Sequence, residues 1–140
     1  TVMMTQTKNE VGTPEFMAPE QFRPGANVDH RVDLWALGVS LFYLVTRRLP
    51  FEFNPQDHDR HFSLQRQIMA SRAKAPDVFE YASPGTISEG FAKFIAHALE
   101  KEPTRRFQTA AQMRESLEGA WVSRGTTSYD VFLSYRVDAD

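Results

Sequence analysis

A short run at positions 57–61, which reads Asp-His-Asp-Arg-His, carries the side chains best suited to binding a metal. Carboxylates and imidazoles are common ligands of zinc. Here, however, the histidines are three residues apart in an irregular polar segment, with a cation between them and no further ligand near. We therefore interpret the run as a solvated loop and predict no metal site. His97 lies in an apolar helical pattern and is interpreted as a helix-surface or core histidine rather than a base.

Three other blocks of residues are more informative. Residues 12–21 read GTPEFMAPEQ, residues 33–38 read DLWALG, and residues 101–107 read KEPTRRF. In this order and spacing, the first two blocks resemble the end of the activation segment of a protein kinase and its central helix. The third resembles the loop between the last two helices of the large lobe. The Gly-Thr-Pro opening resembles serine/threonine rather than tyrosine kinases. The resemblance covers residues 1–121, a partial kinase domain.

This resemblance implies a parent protein that transfers the γ-phosphoryl group of ATP, with magnesium, to serine or threonine side chains of a protein substrate. The family uses a glycine-rich loop, a strand lysine, an Asp-Phe-Gly aspartate and a catalytic-loop aspartate for this reaction. None of these motifs is found in the sequence, and in the family all of them precede the position of Gly12. We therefore expect a fragment that has no catalytic residue, binds neither ATP nor magnesium, and is inactive alone.

Four residues match the substrate pocket of the family: Gly12, Thr13, Pro14 and Glu15. In the family, the hydroxyl at the position of Thr13 bridges toward the catalytic aspartate. The alternative is that Thr13 is only a turn residue before Pro14.

Two threonines, Thr7 and Thr5, match the activation loop and are candidate phosphorylation sites, with Thr7 preferred for its distance from Gly12. A phosphate there could order the loop against arginines. The alternative is an unmodified polar loop.

The remaining matched residues have structural roles in the family. Glu20 is expected to pair with Arg106, or with the adjacent Arg105, in a partly buried bidentate ion pair; the alternative is two solvated charges. Asp33 matches the aspartate that accepts hydrogen bonds from the backbone of the catalytic loop. The alternative is an ordinary first-turn aspartate that interacts with the helix dipole. The other residues matched in this way are Ala18, Pro19, Trp35 and Gly38.

Periodicity and capping signals predict a mainly α fold, the C-terminal part of a kinase large lobe built around a buried central helix. This helix is predicted over residues 31–46, after an N-cap at Asp29, and Arg47 stands where a helix-ending glycine is common. Because the helix is apolar nearly all round, we expect it to be buried on every side, except where it would contact parts of the lobe that are absent from this sequence. Further helices are predicted over residues 19–22 and 63–73, after a cap at Ser88, and from a Thr109–Gln112 capping box to about Glu118.

The end of the chain has a different character. Residues 122–128 are interpreted as a linker, and residues 129–140 alternate in polarity and are β-prone. The run YDVFLSYR resembles the first strand of a TIR domain, which implies signalling through TIR–TIR partners. Two alternatives remain open. In the first, the parent is a pseudokinase and TIR scaffold that acts by protein–protein assembly; in the second, the TIR part cleaves NAD through a glutamate beyond Asp140.

Composition is that of a soluble globular protein. The net charge of −2 and the pI of about 6.1 give no reason to expect nucleic-acid or membrane-surface binding. The chain has no cysteine, and we expect a cytoplasmic protein. The longest apolar stretch, residues 34–45, is too short to span a bilayer.

Overall fold

The structure, a computed structural model, describes residues 13–52, 56, 59–70 and 76–122. This part of the chain is mainly helical and contains no strand, which confirms the predicted fold class. The four α-helices are α1 (Arg31–Thr46), α2 (Arg60–Ala70), α3 (Glu89–Ala98) and α4 (Ala110–Val122). Short 3-10 helices lie at Pro14–Phe16, Pro19–Phe22, Val78–Glu80 and Pro103–Arg105. The predictions for Gly12, Thr5, Thr7 and the terminal strand at 129–140 fall outside the described residues.

Helix α1 has the predicted bounds. At its start, the N-cap is His30 rather than the predicted Asp29, although the carboxylate of Asp29 accepts a hydrogen bond from the backbone N–H of Arg31 at 3.0 Å. At its end, Arg47 has φ 59° and ψ 20°, in the left-handed region, and donates its N–H to the carbonyl of Tyr43 at 2.8 Å. A side chain with a Cβ is disfavoured in this conformation. Arg47 therefore ends the helix in a conformation that a glycine would adopt more easily.

One side of α1 forms the core of the molecule. Trp35, Val39 and Phe42 are buried there, and α3 packs against this side. The two helices approach most closely at Gly38, where a Cβ would lie 2.8 Å from the Cβ of Ala98. Glycine is required at this position by the lack of space rather than by its backbone angles.

The opposite side of α1 is exposed. The exposed fraction is 47% for Leu37 and 55% for Leu44, and Tyr43 is exposed as well. In the described part of the chain, α1 is therefore buried on one side only, and the other side falls under the exception made in the prediction. The reason is that α3 and the short helix Pro14–Phe16, which pack on α1, leave its other side uncovered in the described residues. Leu37, Tyr43 and Leu44 form an exposed apolar patch on this side.

The start of α2 differs from its prediction. The helix begins at Arg60 rather than Ser63, because the carbonyl of Asp59 already accepts the N–H of Ser63 at 3.0 Å. Ser63 is therefore a buried residue of the first turn and not the first residue of the helix. Every helix of the described residues is too short, or too polar, to cross a membrane.

The caps of α3 and α4 follow the sequence signals. The hydroxyl of Ser88 accepts the N–H of Phe91 at 3.2 Å, as predicted. The hydroxyl of Thr109 accepts the N–H of Gln112 at 3.0 Å. The side chain of Gln112, however, accepts its hydrogen bond from the N–H of Gln108 at 2.7 Å, one residue before the position that a capping box requires. Helix α4 also continues to Val122, past the predicted end at Glu118.

Candidate functional site

Glu20 is held in place by the short helix Pro19–Phe22. Ala18 is extended, and its N–H donates to the side-chain oxygen of Gln21 at 2.8 Å. Pro19 follows at the first helical position, where the lack of an N–H costs nothing. Ala18, Pro19 and Glu20 are all buried. The motif therefore directs the Glu20 carboxylate inward, toward the start of α1.

Arg106 meets this carboxylate from a distant part of the chain. Its two terminal nitrogens donate to the two oxygens of Glu20, at 2.9 and 3.0 Å, and thus form a bidentate pair. Glu20 is 4% exposed and Arg106 is 2% exposed, whereas Arg105 is exposed. The partner of Glu20 is therefore Arg106 and not Arg105. Both charges of the pair are buried, which excludes the alternative of two solvated charges.

The other donors of Arg106 are also used. The Nε–H donates to the carbonyl of Glu100 at 2.9 Å, and a terminal nitrogen donates to the carbonyl of Arg31 at 2.8 Å. The guanidinium carbon lies 5.1 Å from the centre of the Trp35 ring, and Trp35 stacks on Phe51 at 5.8 Å with an interplanar angle of 8°. A single buried cation therefore joins the segment of Glu20, the start of α1 and the loop before α4.

Gln108 adds a second polar layer that the sequence analysis missed. Its side-chain nitrogen donates to the carbonyl of Arg106 at 2.6 Å, and its side-chain oxygen accepts from Arg31 at 2.9 Å. Its backbone carbonyl is 2.7 Å from Nε2 of His30, and because a carbonyl only accepts, that nitrogen carries a proton. The signal that could have found Gln108 is its position between Arg106 and the cap of α4.

Asp29 completes this layer. Its carboxylate forms an ion pair with Arg31 at 2.8 Å. The hydrogen bonds from the Arg31 guanidinium, together with the backbone N–H of Arg31, lower the pKa of Asp29 to about 2. The start of α1 is thus held by the Asp29–Arg31 ion pair and by the hydrogen bond from Arg106 to the carbonyl of Arg31.

The described residues of the predicted substrate pocket lie along one edge of this assembly. Thr13 is exposed and precedes the short helix Pro14–Phe16; its carbonyl accepts the N–H of Phe16 at 3.0 Å. Its hydroxyl caps nothing in this helix. The Oε2 atom of Glu15 is shielded from solvent and accepts no hydrogen bond. This segment therefore packs near the core with Thr13 exposed and with Oε2 of Glu15 buried and without a hydrogen bond.

Asp33 is exposed on the first turn of α1. Among the described residues, none donates a hydrogen bond to its carboxylate or forms an ion pair with it. The carboxylate is therefore free to accept donors from elsewhere. The described residues also contain no group of three or more His, Cys, Asp or Glu that could hold a metal ion.

Taken together, this geometry supports positioning and not bond-breaking chemistry. The buried Glu20–Arg106 pair fixes the two short 3-10 helices at Pro14–Phe16 and Pro19–Phe22 near α1, with Thr13 and Asp33 exposed. The class of protein with this arrangement is identified by comparison. The family model described as "Protein kinase domain" matches residues 2–122, and the chain belongs to that family.

Several named kinases are similar to the chain. The serine/threonine-protein kinase PksC of Streptomyces coelicolor is 38% identical over 105 residues, which are 75% of this chain and 17% of that protein. The serine/threonine-protein kinase Pkn1 of Myxococcus xanthus is 38% identical over 110 residues, or 79% of this chain and 14% of that protein. Rhodopsin kinase GRK1 of Homo sapiens is 35% identical over 102 residues, or 73% of this chain and 16% of that protein. The chain therefore spans only about one sixth of the length of the relatives it matches.

Proposed function

We propose that the chain is the substrate-binding part of a serine/threonine protein kinase domain. The parent protein transfers the γ-phosphoryl group of ATP to serine or threonine hydroxyls of a protein substrate. The observation that carries this proposal is the buried Glu20–Arg106 pair, because it fixes the segment of Thr13 on the start of α1. The similarity to proteins named serine/threonine kinases supports the proposal.

Each group of the site has a distinct role in this proposal. Thr13, Pro14 and Glu15 shape the surface on which the acceptor hydroxyl of the substrate is oriented. Orientation of two reactants is worth several powers of ten in rate when the geometry is held rigidly. Asp33 offers its free carboxylate to the backbone of the segment that carries the catalytic base. Glu20 and Arg106 provide the rigidity.

ATP and magnesium belong to another part of the kinase domain in this proposal. The described residues contain no group of three or more His, Cys, Asp or Glu that could hold a metal ion. We therefore assign no step of nucleotide chemistry to them. What these residues contribute is the placement of the substrate.

A chimaera tests the proposal. Residues 2–122 of this chain would replace the matching segment of Pkn1 from Myxococcus xanthus, and phosphate transfer from labelled ATP to a protein substrate would be measured. We expect transfer to be retained, and Thr13→Ala to lower kcat/KM on the order of tenfold or more. The matched control is Thr104→Ala, at an exposed threonine outside the proposed pocket. A folded but inactive chimaera would contradict the proposal and would favour the pseudokinase scaffold.

We propose further that residues 129–140 form the first strand of a TIR domain. The signalling partner of that domain would be another TIR domain. The support is the sequence run YDVFLSYR alone. The test is the structure of a longer chain that continues beyond Asp140. A parallel sheet that begins with this run is expected, and a helix or a loop there would contradict the proposal.

A further inference from the structure

A tight turn at residues 83–86 carries a serine hydroxyl that the fold does not use. The carbonyl of Ser83 accepts two hydrogen bonds from Thr86, one from its N–H at 3.1 Å and one from its hydroxyl at 2.6 Å. Pro84 and Gly85, the latter with φ 77°, occupy the two central positions as a type II turn requires. The hydroxyl of Ser83 itself forms no hydrogen bond with any described residue, and all four residues of the turn are exposed.

The exposure of this turn does not come from the uncovered side of α1. Just before the turn, the ring of Tyr81 lies 6.2 Å from the ring of Phe42, which is 1% exposed and belongs to the buried side of that helix. Just after the turn, Ile87 packs against the core and Ser88 caps α3. The turn therefore projects outward from a segment that is fixed at both ends.

Ser83 can carry a substituent without loss of a structural contact. Other hydroxyls of the described residues are part of the fold: those of Ser40 and Thr46 donate to carbonyls of α1, and that of Ser88 accepts an N–H of α3. A group added to any of these would break a hydrogen bond. The residue before a proline is also biased toward an extended backbone, which is the shape in which a peptide segment enters an enzyme cleft.

An arginine stands beside the turn. The guanidinium carbon of Arg48 lies 5.5 Å from the centre of the Tyr81 ring. Ser83 follows Tyr81 by two residues, and two residues span at most about 7 Å. Arg48 and its neighbour Arg47 are both exposed, and among the described residues no carboxylate forms an ion pair with either of them. An anion on Ser83 is therefore within reach of an available guanidinium.

The carboxylates near the turn weigh little against these cations. Asp77 accepts the N–H of Phe79 at 3.0 Å, and Glu89 forms an ion pair with Lys93 at 2.7 Å. Glu80 is exposed. Repulsion of an anion on the turn is thus left mainly to Glu80, against two arginines.

We propose that Ser83 is a phosphorylation site and that its phosphate pairs with Arg48, which ties the segment before α3 to the end of α1. In the reaction, the Ser83 oxygen bonds to the γ-phosphorus of ATP, the bond from that phosphorus to the bridging oxygen breaks, and ADP leaves. The hydroxyl proton passes to the base of the acting enzyme, a separate protein kinase that accepts proline directly after serine. A phosphate and a guanidinium form a strong, often bidentate pair. This inference does not depend on the proposed function of the chain.

Phosphate incorporation tests the site. The 140-residue chain would be incubated with labelled ATP and a proline-directed kinase that phosphorylates the isolated peptide of residues 79–88. Mass spectrometry would assign the sites, because Thr13 also precedes a proline. We expect most molecules to carry phosphate at Ser83, and none at Thr104, an exposed threonine that precedes an arginine. Ser83→Ala should remove the label from this segment. A chain that is not phosphorylated at Ser83 would overturn the proposal.

Titration of the phosphate by phosphorus NMR tests the pairing with Arg48. The second pKa of a free phosphoserine is about 6. A nearby guanidinium favours the doubly charged form, so we expect this pKa to be lower by about 0.5 in the phosphorylated chain. Arg48→Gln should return the pKa to the value of the chain in urea, whereas Arg114→Gln, at an exposed arginine of α4, should leave it lowered. Equal pKa values for the phosphorylated chain and its Arg48→Gln variant would overturn the pairing.

Discussion

Substitution of Glu20 by glutamine tests the buried ion pair of the site. The variant keeps the size of the side chain and removes its charge. The amide oxygen can accept from one nitrogen of Arg106, but the amide nitrogen then faces the other guanidinium nitrogen, so two donors meet. The side chains of the pair are 4% and 0% exposed, and solvent screening is therefore weak.

The expected cost follows from these contacts. Breaking a buried ion pair by removing one charge costs about 3–5 kcal/mol, most of it from the charge that stays behind. We place Glu20→Gln near the lower end, at about 3 kcal/mol, because the carbonyls of Arg31 and Glu100 still accept hydrogen bonds from Arg106.

Urea unfolding of the 140-residue chain, followed by circular dichroism, measures this cost. The chain concentration must be equal for all variants, because association shifts apparent stability. The matched control is Glu89→Gln. Its pair with Lys93 is 2.7 Å long, but both side chains are 75% exposed, and exposed pairs contribute little. If Glu20→Gln and Glu89→Gln unfold at the same urea concentration, the reasoning from burial is refuted.

Three further substitutions have expected outcomes that can be measured. Gly38→Ala should destabilise the chain by about 1–3 kcal/mol in urea unfolding, because its Cβ would meet Ala98 at 2.8 Å. The control Gly119→Ala, with no atom within 4 Å, should instead be neutral or stabilising; equal losses would contradict the close packing of α1 and α3. Ser88→Ala should cost about 1 kcal/mol and should speed hydrogen exchange at the first turn of α3, so unchanged exchange would argue against the cap. The pKa of Asp29 is lowered from 3.8 to about 2 in the folded chain, so its contribution to stability is present above pH 3.8 and is lost as the pH falls through 2. The difference in Tm between the chain and Asp29→Asn should therefore shrink across that range, and a constant difference would contradict the ion pair.

Local signals in the sequence were sufficient to predict where α1 begins and ends. Asp29 supplies a side-chain acceptor for the first turn, and the proline at position 50 prevents the helix from continuing far beyond its last turn. Such signals act over a few residues, and the sequence displays them directly. The same holds for the cap of α3 at Ser88.

Contacts between distant segments were harder to predict. The sequence indicated a partner for Glu20 but left Arg105 and Arg106 open, because neighbouring residues of an irregular loop can point to either side. The role of Gln108 depends on carbonyls of a loop whose path is known only in three dimensions. The exposure of Leu37 could not be read from the apolar pattern of α1, since that pattern shows which residues can be buried and not whether another element covers them.

The coupling energy between Glu20 and Arg106 tests the central claim most directly. The free energy of unfolding would be measured for the unchanged chain, for Glu20→Gln, for Arg106→Met and for the variant with both substitutions. A buried and cooperative pair predicts that the two single losses exceed the loss in the double variant by about 2 kcal/mol or more. Losses that simply add would contradict the claim that this pair holds the segment of Glu20 against the start of α1.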